Sequence, residues 1–199
     1  MTAAGASISK TIEHLGGNPE EPFAIFPEVQ KLYAERRIEL EKIVAKRKAE
    51  QFAWEKENPE KAILLHQYFS GKVPDIDYKS IVHKPDVATR VASSDVLGVF
   101  GEQIGNMIVS SADLANSDKT DGFLKKTHAF INGDFTGAFL QAGVSELTMA
   151  AIMNGMALHG GIIPACGTFF VFSDYMKPAV RLAALMEVPV KYVWTHDAF

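Results

Sequence analysis

The sequence predicts an α/β fold, with a parallel sheet in the second half of the chain and a charged helical segment before it. Helix and strand patterns alternate beyond Lys84-Pro85, and the charged residues that crowd the first part thin out at the same point. The strand-like runs are short and separated by stretches long enough for a helix, the connection that parallel neighbours require.

Residues 1–30, MTAAGASISKTIEHLGGNPEEPFAIFPEVQ, are rich in Gly, Pro, Ser and Thr, and hold one short helical pattern that ends at Gly16-Gly17. They read as extended chain. From Pro27 to Glu57 the residues Val29, Leu32, Tyr33, Arg36, Leu40, Ile43 and Val44 recur at helical spacing among Lys, Arg and Glu. This predicts a long charged helix with a modest apolar stripe. Asn58-Pro59 stops it, and Glu60 to Phe69 forms a second helix before Ser70-Gly71-Lys72-Val73-Pro74. The shift in composition near Pro85 divides the chain into an extended and helical linker over 1–84 and a sheet domain over 85–199.

In the second part the patterns give a helix over Thr89 to Phe100, a buried strand over Met107 to Ser111, and a helix over Ser145 to His159 capped by Ser145. A strand over Ile162 to Ala165, a helix over Ser173 to Met186 and a strand over Pro189 to Thr195 follow. Ligands of parallel sheets sit at the carboxyl ends of the strands, so the loops after Ser111, Ile163 and Trp194 are where function is expected. Only three strands are predicted, and the chain stops just past the last of them. The sheet is therefore expected to be truncated, as in a piece excised from a longer protein.

Composition excludes several functions. A net charge of -4 leaves no broad basic field for nucleic acid. No apolar run approaches the roughly 20 residues of a membrane helix; Gly160 to Phe172 is broken by Pro164, Gly167 and Thr168. The single cysteine, Cys166, has no internal disulfide partner and no basic neighbour in sequence, so an inert buried thiol in a cytoplasmic protein is expected. No Walker-type loop, cysteine-pair spacing or His-Glu helix motif is present, so no metal site is expected within this chain. Of the other histidines, His14, His66 and His83 are expected to be exposed, while His128 and His159 are candidates for interior, hydrogen-bonded positions.

Three segments concentrate polar and aromatic residues near strand ends: SSADLANSDKT (110–120), QAGVSELTMAAIMNGMALHGG (141–161) and CGTFFVFSDYMKPAVRLAALM (166–186). THDAF closes the chain. From the residues alone, Glu146 is either a helix-start carboxylate serving the macrodipole or a ligand group. Phe169, Phe172 and Tyr175 are either an aromatic core cluster or a stacking surface. Asp113 caps a turn or faces a charge, Arg90 is a solvated charge at a helix start or an anion binder, and His196 is a strand-end histidine or a ligand.

The order ATR, SADLANS, Gly-hydrophobic-Ser-Glu, NGMALHGG, TFFVFSDY and THD is similar to the pyrimidine domain of transketolases, and Pro22 to Gly71 resembles the helical linker that precedes it. This resemblance implies a parallel-sheet, thiamine-diphosphate-binding fold. It implies that Glu146 is catalytic, bonding N1′ of the aminopyrimidine, a role that calls for a desolvated carboxyl. It puts Phe172 face-on against that ring, Phe169 and Tyr175 beside it, and Asp113 near the thiazolium. Arg90, Ser117 and His196 match positions that bind the substrate's phosphate, where a fork of arginine donors and single donors from serine and histidine suit a dianion. A homodimer acting on sugar phosphates in the pentose phosphate pathway, with Mg2+ or Ca2+ held by a diphosphate domain outside this chain, is also implied. The opening GASISK departs from the family, with Ser7 and Lys10 where histidines are expected. The alternatives are a deoxyxylulose-phosphate-synthase-like or 2-oxo-acid-dehydrogenase-like enzyme, or a non-catalytic assembly domain.

Overall fold

The computed structural model describes residues 4–72 and 74–197. They form two compact units, Met1–Pro59 and Glu60–Phe199.

In the first unit, α1 (Ile8–His14) is capped by Ser7, whose Oγ accepts from the Lys10 amide at 3.3 Å. Helix α2 (Pro27–Glu57) begins on a proline, which loses nothing at a position whose N–H has no helical partner. It ends where the backbone and side-chain amides of Asn58 both return to the Trp54 carbonyl, at 2.9 and 3.0 Å. None of its residues is buried. The apolar stripe of Leu32, Leu40, Ile43 and Val44 stays open to solvent, and surface pairs such as Arg37–Glu41 at 3.1 Å line the helix.

The second unit is a sheet covered on both faces. After α3 (Pro59–Phe69) and a 3-10 turn at Tyr78–Ser80 come α4 (Thr89–Gln103), β1 (Met107–Ser111), α5 (Ala115–Asp118), α6 (Asp121–Leu124), β2 (Phe139–Gln141), α7 (Glu146–His159), β3 (Ile163–Phe169), α8 (Ser173–Leu185) and β4 (Lys191–Thr195). The four strands are parallel in the order β2-β1-β3-β4. Met107, Val109 and Ala165 pack with Leu97, Ile104 and Phe123 on the α4–α6 side. Cys166 packs with Met149, Met153, Met176 and Ala179 on the α7–α8 side. Two cores on opposite faces explain why β1 and β3 are buried almost throughout.

Several details differ from the sequence expectations. Strand β2 was not anticipated, because its three residues FLQ are too few to form a pattern; backbone pairing with β1 makes it a strand. Strand β3 runs past the expected end at Ala165 to Phe169, through Gly167. Pairing with β1 and β4 keeps Gly167 in the strand, and the close approach of Asp118 and Thr120 calls for glycine: a Cβ there would lie 2.5 Å from Thr120 Cγ2. Ser145 occupies the position before α7 without capping it, since its hydroxyl donates to the Ala142 carbonyl at 2.6 Å. His128 and His159 are exposed rather than interior, although both are bonded, His128 to Thr136 at 3.1 Å and His159 to the Gly160 carbonyl at 3.1 Å. Both lie on surface segments, one in the loop before β2 and the other at the open end of α7.

Candidate functional site

The carboxyl ends of β1 and β3 and the start of α7 border a hollow of about 480 Å³, lined by Ala112, Asp113, Leu114, Val144, Glu146, Phe172 and Tyr175. Glu146 opens α7, where the helix dipole favours a negative charge, yet it is only 7% exposed. A carboxyl so withdrawn from water and facing apolar walls is suited to a polar ligand atom. Of the apolar residues that follow it in α7, Met149 is fully buried, whereas Leu147, half exposed, turns to solvent. Helical periodicity sends successive residues to different faces, so Ala112, Leu114 and Val144 from neighbouring loops provide the apolar wall.

Strand β3 delivers Phe169 at its last position, and a single 3-10 turn, Phe170–Phe172, leads into α8. The rings of Phe169, Phe172 and Tyr175 form a ladder. Phe169 and Phe172 lie 5.8 Å apart at 14°, and Phe172 and Tyr175 6.0 Å apart at 23°. His196, just past β4, meets Phe169 edge-on at 4.6 Å. The Asp197 carboxylate accepts from the Val171 amide at 2.6 Å, tying the end of β4 to the same turn.

Asp113 adopts φ 62°, a left-handed conformation that costs a residue other than glycine some strain. It does not cap its turn: Ser111 Oγ takes the Leu114 amide at 3.1 Å. Asp113 lines the Glu146 hollow and an adjoining one of about 360 Å³, which Ser117 and Gln141 also border.

Arg90, second in α4, and His196 lie 106 residues apart and meet. Arg90 Nη1 donates to His196 Nδ1 at 2.7 Å and also contacts Nε2. Among the described residues the Arg90 Nε is buried without a hydrogen-bond partner. Among the described residues no hydrogen bond joins Ser117 to this pair.

Asp118 escaped the sequence reading. It is 1% exposed, and accepts from Ser111 Oγ at 2.6 Å and from the Thr120 amide and hydroxyl at 2.9 and 2.8 Å. Burial pushes its carboxyl above the usual range, against these bonds. The Asp-x-Thr pattern was the available signal, but it marks an ordinary turn. Cys166 is fully buried, and burial pushes its thiol up to about 12.

A family profile described as "Transketolase, pyrimidine binding domain" matches residues 85–199. The transketolase of Halalkalibacterium halodurans is 40% identical over 183 residues, covering 90% of this chain and 26% of the relative. That of Geobacillus stearothermophilus is 42% identical over 176 residues, covering 85% and 26%. Among solved structures, a transketolase from Leishmania mexicana aligns with a TM-score of 0.79 at 30% identity, over 96% of this chain and 28% of that one. A transketolase from Pichia stipitis, solved in complex with sedoheptulose 7-phosphate, gives 0.79 at 36% identity, over 96% and 29%. The chain spans about a quarter of the length of these relatives, 26% for each of the two bacterial proteins.

Proposed function

Because this chain belongs to the transketolase family through its pyrimidine binding domain, we propose that it supplies the pyrimidine half of a thiamine-diphosphate site in an enzyme that moves two-carbon ketol units between sugar phosphates. The observation that carries this is the hollow where buried Glu146 meets Asp113, Phe172 and Tyr175. One withdrawn carboxyl, one aromatic surface and an exposed carboxylate, with no cation among the lining residues, fit a neutral aminopyrimidine joined to a cationic ring.

Thiamine diphosphate, when bound, would supply the carbon-nucleophile chemistry that ketol transfer needs. Glu146 holds a hydrogen bond to the pyrimidine N1′ and shifts proton density there. Phe172, with Phe169 and Tyr175 behind and beside it, orients the pyrimidine by stacking and excludes water. Asp113 offers a negative charge on the thiazolium side. Arg90, His196 and Ser117 are the proposed phosphate donors, and the meeting of Arg90 with His196 beyond the carboxyl end of β4 supports an anion site there. This favours a sugar phosphate over a bare 2-oxo acid, and the sugar-phosphate complex of the Pichia stipitis relative agrees with that reading. Residues 1–84 act as linker and 85–199 as part of the pyrimidine domain. A diphosphate domain holding Mg2+ or Ca2+, a homodimer and a cytoplasmic setting complete the proposal.

The test is Glu146→Ala in a complete transketolase carrying this segment. Turnover should fall by at least about 10²–10⁴-fold, the usual worth of a general acid–base group, with the protein still folded. Near-normal turnover in a folded variant would overturn the assignment.

A further inference from the structure

The loop between β1 and α5 carries Asp113, α5 itself carries Ser117, and of these two proposed ligand groups Asp113 sits in a strained conformation. A non-glycine residue stays at φ 62° only where its surroundings over-determine it. Here they do so through a two-step relay. Asp118 Oδ2 accepts the Ser111 hydroxyl at 2.6 Å, and the oxygen of that hydroxyl accepts the Leu114 amide at 3.1 Å, the peptide immediately after Asp113. The other carboxylate oxygen is anchored by the Thr120 amide and hydroxyl at 2.9 and 2.8 Å, so Asp118 cannot turn away. Room for the carboxylate exists because β3 has glycine opposite: a Cβ on Gly167 would lie 3.2 Å from Asp118 Oδ2.

We propose that Asp118 is a positioning residue, whose buried carboxylate fixes through Ser111 the turn that presents Asp113 to the cofactor and Ser117 to the substrate phosphate. It touches neither ligand. Ordinary packing would have been served by an apolar residue, and burial of this carboxyl is unfavourable unless its acceptors are used. All three donors around it are used, and one leads to the strained turn. The proposal rests on the reading of Asp113 and Ser117 given above.

The experiment compares Asp118→Asn, Ser111→Ala and their combination in a complete transketolase carrying this segment, with Glu146→Gln in parallel. Asparagine keeps the shape of Asp118 but removes the charge, and with it the charge-assisted bond from the Ser111 hydroxyl. The dissociation constant for thiamine diphosphate, by calorimetry, and KM for a phosphorylated donor should each rise about tenfold or more, the worth of one charge-assisted bond. KM for an unphosphorylated acceptor should change less. The double variant should be no worse than the poorer single one, since both cut the same relay. Folded Asp118→Asn and Ser111→Ala enzymes with unchanged constants would overturn the proposal, whatever their thermal stability. Should Asp118→Asn not fold, Ser111→Ala decides by the same constants. If instead Glu146→Gln keeps full turnover, the cofactor reading itself fails, independently of Asp118.

Discussion

Cys166 shows how much one residue can reveal in sequence and how much needs the fold. Its apolar neighbours already suggested an inert thiol, and it sits at 0% exposure among Met149, Met153 and Met176. Burial holds its proton to about 12, against 9.0 for a free thiol. Between those values the unfolded chain binds fewer protons than the folded one, so stability present below pH 9 is lost as pH rises toward 12. Tyr192, raised from 10.0 to about 12 chiefly by burial, acts in the same direction. In Cys166→Ala the urea midpoint should be lower at neutral pH, but it should fall less steeply above pH 9 than in the parent chain. Parallel pH profiles would contradict this. Asp118 is the opposite case: nothing in its sequence neighbourhood marks burial, because the strand that covers it lies some fifty residues further on.

At the scale of elements, α7 links the site to a distant anchor. Its start carries Glu146, and its end passes through Gly160 and Gly161, both at positive φ, onto the ring of Phe69 at the end of α3. A Cβ on Gly161 would lie 2.9 Å from Phe69 Cε2, and its φ of 76° is costly for any other residue. Gly161→Ala is therefore expected to lower stability by about 1–3 kcal/mol. Chemical denaturation measures this directly, and an unchanged midpoint would mean that α3 yields freely. The strands teach a related lesson. β1 was legible because MIVSS is a short run of apolar and small residues, whereas β3 was cut short at Ala165 in the reading because Gly167 obeys a packing demand that local pattern does not contain.

At the scale of the whole molecule, the proposed reading gives the cofactor partners on this chain at its pyrimidine end. Among the described residues no group of three or more His, Cys, Asp or Glu is arranged to hold a metal ion. Stacking and one hydrogen bond contribute a few kcal/mol, while association costs roughly 4–15 kcal/mol. Calorimetry on this chain with thiamine diphosphate and magnesium should accordingly give a dissociation constant in the millimolar range or weaker, and a micromolar value would show that the diphosphate has a site on it. The sequence by itself determined the α/β class, the long charged helix, the strand-end location of the polar motifs and, through their order, the family. These are properties of local periodicity and of residue type at fixed spacing, which a single chain displays. Only the tertiary structure decided that Arg90 meets His196 across 106 residues, that β2 joins the sheet, and that buried Asp118 holds the turn of Asp113. Each of these depends on which strand lies beside which, and a parallel sheet brings together residues whose separation along the chain carries no local signal.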